Sequence, residues 1–341
     1  MAELEETVQV GISSNDDKQN AFGNGDSCIF SDNNMKDDHV VDRSSSLAKS
    51  RVCDILRCGN WNAKTQALLQ PFSKNLSSIF VVRVLNGIND VKMARNFFYW
   101  ASQQDGYSHE TSVYNAFMMK LGMAKEFVSM WELLDEMRRE GCVITNTTFS
   151  TIIQSYGKAG FLEECWRTVE KATKFGVKPD VYIYTTLLGV LFSVRKIDKA
   201  KQLLSRMIRF NKSLDIRTWS IAIHGFCKNG KMQDAQVFMD RMQDHGCIPN
   251  VYIYNAMILG FSKINCPEKA LLLFHTMQET CCKPDLYTYN TVIQLYCSLG
   301  KFAEADSLFS TMVDAGCEPN QVTYNLYLSG LLKMGKKAEA D

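Results

Sequence analysis

The sequence has little proline, no long apolar run and no cysteine pair at C-x-x-C spacing. Six of its 341 residues are proline, and no stretch approaches the roughly 18 apolar residues that a transmembrane helix needs, so we expect no membrane contact. The twelve cysteines include no C-x-x-C pair, which argues against zinc and thioredoxin-like sites. The five histidines share no ligand spacing, and no nucleophile–base pattern is recognisable. We therefore expect no metal, no cofactor and no enzymatic activity.

An excess of charge is also missing. Lys and Arg (38) almost balance Asp and Glu (37), so a nucleic-acid partner would have to be held locally rather than by bulk attraction. Residues 1–50 are rich in Ser, Asn, Asp and Gly, carry ten acidic against four basic residues, and show no hydrophobic periodicity. The sequence predicts disorder there. This acidic segment resembles neither a secretory signal nor an Arg-rich organelle transit peptide.

The few prolines reveal a repeat. Pro179, Pro249, Pro284 and Pro319 are separated by 70, 35 and 35 residues, and such a period indicates a repeat architecture. A helical entry segment is predicted at 51–75, followed by seven units of 35 residues and an incomplete eighth unit, 321–341. The seven units are 76–110, 111–145, 146–180, 181–215, 216–250, 251–285 and 286–320.

Each unit has the pattern of two amphipathic helices. Apolar residues recur at helical spacing on both sides of a central Gly or Asn, which suits a turn. From unit 111–145 onward the fourth position is always aromatic and belongs to the expected core: Tyr114, Phe149, Tyr184, Trp219, Tyr254, Tyr289 and Tyr324. One helix pair cannot bury its apolar face alone, so we predict an all-α fold, a right-handed α-solenoid of stacked helix–turn–helix repeats. The cysteines follow the same period and are interpreted as reduced, structural thiols.

Three repeated phrases point to a family. Val-Tyr-Ile-Tyr-Asn (251–255), Tyr-Thr-Tyr-Asn-Thr-Val-Ile (287–293) and Gly-Cys-Glu-Pro-Asn (316–320) resemble the pentatricopeptide repeat (PPR) family, over residues 76–341. The uniform length of 35 resembles its P-type subclass in plants. Unit 76–110 departs from the pattern, with Phe80 at the fifth position, and is interpreted as a cap. Because the last unit stops after 21 residues, we expect a truncated product or an incomplete gene model.

The resemblance implies single-stranded RNA binding, one nucleotide per unit, read by the fifth and last residues of each unit. The implied base-reading pairs are Asn115/Thr145, Ser150/Asp180, Thr185/Asp215, Ser220/Asn250, Asn255/Asp285 and Asn290/Asn320, and Asn325 begins an incomplete pair. By the family's code the target is about 5′-YGGAUY-3′, where Y is a pyrimidine. The alternative for any one pair is a polar first-turn residue and an ordinary helix cap.

The same resemblance implies two further sets of RNA-contacting residues, each at one position of the repeat. Side chains that flank the bases are Tyr182, Arg217, Tyr252 and Tyr287. Phosphate contacts are expected at Lys158, Lys228, Lys263 and Lys333. A solvated helix end, favoured by the macrodipole, is the alternative for the lysines.

The function implied is sequence-specific RNA binding in organelle RNA metabolism, through RNA stability, splicing, processing or translation. The mitochondrion is expected first and the chloroplast second, and no DNA partner is expected. The alternative function is a protein-binding scaffold of the tetratricopeptide type. Six readers define a short site, so either the natural chain continues or a protein partner supplies further specificity.

Overall fold

We describe the protein from a computed structural model, which describes residues 42–58, 60–210, 214–280 and 282–333. Every regular element in these ranges is helical, and they contain no strand. The helices are α1 Asp42–Cys58, α2 Ala63–Leu69, a 3₁₀ turn Gln70–Asn75, α3 Ser78–Gly87, α4 Val91–Ser102, α5 Thr111–Met123, α6 Phe127–Arg139, α7 Asn146–Lys158, α8 Leu162–Lys174, α9 Val181–Ser193, α10 Ile197–Phe210, α11 Ile216–Lys228, α12 Met232–Asp244, α13 Val251–Lys263, α14 Pro267–Glu279, α15 Leu286–Ser298, α16 Phe302–Asp314 and α17 Gln321–Lys333. None of the described helices is both long and apolar enough to cross a membrane.

The helices follow the 35-residue period. From α5 onward, the first helix of each unit begins at the unit's first residue and runs for 13 residues. In unit 76–110 the first helix, α3, begins two residues into the frame at Ser78. The all-α class of stacked helix–turn–helix repeats that the sequence predicts is confirmed.

The first helix extends the ordered region beyond the predicted boundary. Helix α1 begins at Asp42, so disorder predicted up to residue 50 is wrong for 42–50, and the rest of that segment, 1–41, lies outside the described residues. Val52, Cys53 and Leu56 of α1 are buried. Once these residues anchor a helix, adding further turns is favourable even where the sequence lacks an apolar face.

The helices form two compact units that divide between Val190 and Leu191. Within the first, α3 packs on α5 and α5 on α7; within the second, α11 packs on α13, α13 on α15 and α15 on α17. The aromatic fourth position is core in six of its seven occurrences, with exposure of 3% or less. Tyr324, on the last described helix, is 51% exposed, because no described helix covers the outer side of α17.

Small residues set the spacing between successive first helices. The twelfth residue of one first helix meets the tenth residue of the next, and one member of each pair is small. The pairs are Gly122–Ser155, Gly157–Val190, Phe192–Gly225, Cys227–Gly260 and Cys297–Gly330. A Cβ at Gly157 would lie 2.5 Å from Val190 Cγ2, and one at Gly225 would overlap the Phe192 ring. The glycines therefore allow the backbones of neighbouring first helices to approach closely.

Replacing Gly225 by alanine tests this packing. In an exposed helix, Gly→Ala stabilises by about 1 kcal/mol. Here the added methyl overlaps Phe192, so we expect Gly225→Ala to lower the free energy of unfolding by about 1–3 kcal/mol, measured by urea denaturation. Ser193→Ala, on the exposed end of α9, is the control and should change it by less than about 0.5 kcal/mol. A stabilised Gly225→Ala variant would contradict the packing.

A buried histidine lies between α4 and α5. His109 is 7% exposed and stacks on Phe98, with ring centroids 4.0 Å apart. Its Nε2 lies 3.0 Å from the Phe98 carbonyl and its Nδ1 lies 3.1 Å from the Tyr107 hydroxyl. Nε2 therefore donates to the carbonyl, and Nδ1 accepts from Tyr107. Burial lowers the pKa of His109 from 6.5 to about 4, so the ring is neutral at pH 7.

This histidine makes stability depend on pH. The unfolded chain protonates His109 below pH 6.5, whereas the folded chain does so only near pH 4. Since the unfolded state binds more protons in that window, the free energy of unfolding should fall as the pH is lowered from 6.5 to 4. Denaturation at several pH values measures the slope. His109→Gln, which cannot titrate, should flatten it, and an unchanged slope would contradict this assignment.

Candidate nucleic-acid interface

From α5 onward, each first helix leaves a stripe of side chains open to solvent. Side chains at the second, ninth and thirteenth positions are half-buried or exposed wherever their burial is described, whereas the sixth position is buried in α5, α9, α13 and α15. These four positions share a face at helical spacing and form the open stripe. In α11 these are Arg217, Ile221, His224 and Lys228, all half-buried or exposed. The third, fourth, seventh and eighth positions of the same helix are buried. The fifth position lies beside the stripe, between the core and the solvent.

In the five units from 146–180 to 286–320, the last residue caps the next first helix. A side-chain oxygen of this residue accepts a hydrogen bond from the backbone N–H three residues on, at 2.8–3.2 Å. The residues concerned are Asp180, Asp215, Asn250, Asp285 and Asn320. The predicted capping is confirmed, and each such cap typically stabilises by about 1 kcal/mol. The bond also fixes the direction of a side chain that the sequence assigns to base reading.

A threonine at the third position strengthens three of these caps. The hydroxyls of Thr218, Thr288 and Thr323 lie 2.5, 2.8 and 3.1 Å from the capping oxygen of Asp215, Asp285 and Asn320. All three threonines are fully buried. The sequence analysis did not assign them a role. The signal was present, because Asp or Asn followed by Thr three residues later resembles a capping box.

One predicted pair is in direct contact. Asn255 Nδ2 donates to Asp285 Oδ1 at 3.1 Å, which joins the fifth and last residues of unit 251–285. Thr288 Oγ1 lies 2.6 Å from Asn255 Oδ1 and holds the other side of the amide. Asn255 is 9% exposed, whereas Asp285 is exposed. The second amide hydrogen of Asn255 and Asp285 Oδ2 form no hydrogen bond within the described residues, and they place a donor beside an acceptor.

Polar atoms without partners concentrate at the fifth position. Ser150 Oγ, Asn115 Oδ1 and Asn290 Oδ1 are buried and make no hydrogen bond within the described ranges. An unsatisfied buried polar group costs about 1–3 kcal/mol, so its recurrence at one position of the repeat calls for a functional reason. Ser220 differs, because its hydroxyl donates to the Ile216 carbonyl at 2.7 Å. Thr185 is 3% exposed, and Asn325 is exposed.

The first pair is joined indirectly. Asn115 Nδ2 donates to Thr147 Oγ1 at 3.3 Å, and Thr147 Oγ1 lies 2.6 Å from Thr145 Oγ1. Thr147 occupies the second position of its unit, where a tyrosine or arginine stands in four later units. Its hydroxyl uses part of the hydrogen-bonding capacity of both predicted readers. This pair therefore has fewer free groups than Asn255 and Asp285.

The predicted flanking residues lie on the open stripe. Tyr252 is 45% and Tyr287 is 49% exposed, whereas Tyr182 and Arg217 are half-buried. His224, at the ninth position of α11, stacks on Tyr252 with ring centroids 5.2 Å apart and planes 29° apart. This stack holds the Tyr252 ring in place. The sequence analysis did not predict it, because the two residues belong to different units.

The lysines predicted to contact phosphates lie at the C-terminal ends of the first helices. Lys158, Lys228 and Lys263 are exposed in the last turn of α7, α11 and α13, and Lys333 is the last residue of α17. A lysine here also stabilises the negative end of the helix dipole. Lys120 is different, since its Nζ donates to the carbonyls of Asn86 and Ile88, and burial lowers its pKa.

Half-buried thiols lie close to two of the capping carboxylates. Burial, and secondarily the charge of Asp215, raises the pKa of Cys247. The same two causes, with Asp285 as the charge, raise the pKa of Cys282 and Cys317. These thiols therefore stay protonated at neutral pH. Among the residues that the structure describes, no three His, Cys, Asp or Glu side chains are placed to hold a metal ion.

Family models match this region repeat by repeat. The model described as the PPR repeat family matches residues 179–228, 214–252, 249–294 and 287–333, and the PPR repeat model matches 112–142 and 147–177. Together they cover well over half of the chain. The chain belongs to the pentatricopeptide repeat family.

Similar proteins carry the same repeat. The mitochondrial pentatricopeptide repeat-containing protein At3g22670 of Arabidopsis thaliana is 32% identical over 200 residues, which are 57% of this chain and 35% of that protein. Protein At3g60050 of the same plant is 25% identical over 234 residues, 62% of this chain and 50% of that protein. The chain thus spans half or less of the length of these curated relatives. The crystal structure of PPR10 from maize has a TM-score of 0.47 at 21% identity, covering 86% of this chain and 47% of that one.

Proposed function

We propose that this PPR protein binds single-stranded RNA in a sequence-specific way, with one base read by the fifth and last residues of each unit. The proposed target is 5′-YGGAUY-3′. The observation that carries the proposal is the hydrogen bond between Asn255 and Asp285, 3.1 Å long. It places two polar side chains from different helices together at the edge of the open stripe, with a donor and an acceptor unused.

The free groups of this pair complement uracil. The uracil edge carries a carbonyl oxygen beside the N3–H, so it needs one donor and one acceptor. The second amide hydrogen of Asn255 and Asp285 Oδ2 supply them. Guanine has the same arrangement at O6 and N1–H but is larger, and Asn255 leaves less room than a serine would. Family resemblance and stereochemistry therefore agree on uracil for unit 251–285.

The other pairs follow the same two rules. A small residue at the fifth position, such as Ser150 or Thr185, leaves room for a purine. An aspartate at the last position accepts from an N–H and favours guanine, whereas Asn250 can donate to N1 of adenine. These rules reproduce guanine, guanine and adenine for units 146–180, 181–215 and 216–250. Thr147 occupies part of the first pair, which supports weak pyrimidine reading there.

The open stripe supplies the rest of the binding energy. Tyr252 and Tyr287 present exposed rings, and stacking of a base on such a ring contributes about 1–3 kcal/mol. Lys158, Lys228, Lys263 and Lys333 end their helices beside the same stripe. Four phosphate contacts to a single strand would give a log Kd–log salt slope of about 3 in magnitude.

The proposed role is to protect, unfold or position RNA rather than to cleave it. Such binding serves RNA stability, splicing, processing or translation, and we assign no catalytic step to this chain. Several relatives are named as mitochondrial proteins. We therefore propose the mitochondrion as the place of action, with the chloroplast as the alternative.

RNA-binding measurements test the function. Fluorescence anisotropy with the full chain at about 0.15 M salt would compare an RNA containing UGGAUC, a scrambled RNA and the matching DNA. We expect the designed RNA to bind at least about tenfold more tightly than the scrambled one, since one mismatch costs about 1–3 kcal/mol. We also expect it to bind more tightly than DNA. Equal, feeble binding to all three would overturn the proposal and favour the protein-binding scaffold.

A single-atom-type change tests the reading rule. Asp285→Asn keeps a good helix cap. It replaces one carboxylate oxygen, an acceptor, by an amide N–H donor, which suits N3 of cytosine. We expect the preference at the fifth base to move several-fold from uracil towards cytosine, with little change in melting temperature. Asp244→Asn, exposed at the end of α12, makes the same charge change and should leave the preference unaltered. An unaltered preference in Asp285→Asn would contradict the reading rule.

A further inference from the structure

The turn between the two helices of a unit has a left-handed residue at its fifteenth position. In three units this residue is glycine, namely Gly160, Gly230 and Gly300, with φ of 84°, 72° and 71°. In three others it is Lys125, Arg195 or Asn265, with φ of 61°, 57° and 58°. Glycine adopts this conformation readily, whereas lysine and arginine are strained in it. A strained residue that recurs at one structural position is a candidate for a functional role.

The backbone does not require lysine or arginine there. The N–H of Lys125 donates to the Gly122 carbonyl at 3.0 Å, and the N–H of Arg195 donates to the Phe192 carbonyl at 3.1 Å. The N–H of Gly160 makes the equivalent bond to Gly157 at 3.0 Å. The turn is thus the same Schellman-type helix end with either residue. Glycine would form it without strain.

The strained cations occur where the lysine of the open stripe is missing. Units with Lys158, Lys228 or Lys263 at the thirteenth position have Gly or Asn at the fifteenth. Unit 111–145 has Met123 at the thirteenth position and Lys125 at the fifteenth. Unit 181–215 has Ser193 and Arg195 at these positions. Each of these five units therefore carries one cation at the same helix end, in one of two places.

Both side chains are available for a ligand. Lys125 and Arg195 are exposed, and neither makes a side-chain hydrogen bond or ion pair with the described residues. Other cations of the chain are committed, because Arg95 pairs with Glu126, and Lys201 Nζ lies 2.7 Å from Asp234 Oδ1. A cation two residues beyond the thirteenth position reaches the same end of the first helix, where the phosphates are proposed to pass.

We propose that Lys125 and Arg195 are phosphate-contacting residues of the RNA site, which replace the missing lysine at the thirteenth position of their own units. The proposal rests on the RNA-binding function above and extends its phosphate contacts to residues outside the lysine column. The strain at φ near 60° is retained because the cation serves the ligand. Unit 286–320, with Ser298 and Gly300, lacks both forms of the contact.

The test is Arg195→Gly in the full chain, with the RNA containing UGGAUC as the probe. Removing one single-strand phosphate contact should lower the magnitude of the log–log salt slope by about 0.7. The ratio of the variant's Kd to the native Kd should accordingly fall by about 2.6-fold as the salt concentration rises from about 0.05 M to about 0.2 M. The melting temperature should not fall, since glycine relieves the left-handed strain.

Two further variants sharpen the result. Asn265→Gly introduces glycine at the same position of the turn without a charge change and should leave the slope unaltered. The double variant Ser193→Lys with Arg195→Gly moves the cation to the thirteenth position and should restore both affinity and slope. If Arg195→Gly binds with native affinity and slope while Lys228→Gln is impaired, this inference is wrong and the RNA function stands. If the native chain does not prefer the designed RNA, the proposed function itself fails.

Discussion

A hydrogen bond from the backbone of a first helix to the last side chain of the preceding unit, present at α9, α11, α13, α15 and α17, organises this protein. It satisfies an N–H that would otherwise lack a partner at the helix start. It also fixes where the helix begins, and so where the fifth residue and the open stripe lie. In unit 251–285 the same oxygen of Asp285 holds Thr288 and Asn255 as well. On the proposed function, the cap and the base reader are one side chain in two roles, since only part of its hydrogen-bonding capacity is used by the fold.

Close approach of the first helices is the second constraint. Glycine occurs on either side of the contact, so that Gly157 faces Val190 while Gly225 faces Phe192. The combined volume of the two facing side chains is limited, but the smaller side chain can stand on either helix. This explains why neither position is a uniform glycine column in the sequence. A repeat can thus vary its residues while keeping the spacing between successive first helices.

Electrostatics in this chain is local. A net charge of +1 gives little long-range attraction for a polyanion. Cations instead recur at the thirteenth or fifteenth position in five units, 111–145 to 251–285, at the end of the first helix where the helix dipole favours them. Lys125 and Arg195 keep this pattern at the expense of left-handed strain of about 1–2 kcal/mol each. The fold tolerates this strain because the packed aromatic and glycine positions stabilise the surrounding helices.

The sequence by itself determined the period, the helix pairs, the caps and the aromatic core, because each depends on local spacing or on a short-range backbone bond. It could not predict that α1 begins at Asp42, since that helix is anchored by burial of Val52 and Leu56 rather than by its own pattern. Only the tertiary structure decided that Asn255 bonds Asp285, 30 residues further along the chain, and that the buried Ser150 hydroxyl has no hydrogen-bond partner among the described residues. It also decided that Lys125 adopts the left-handed backbone conformation that glycine has at the same position in other units. These features depend on the closeness of two helices, which no local pattern specifies.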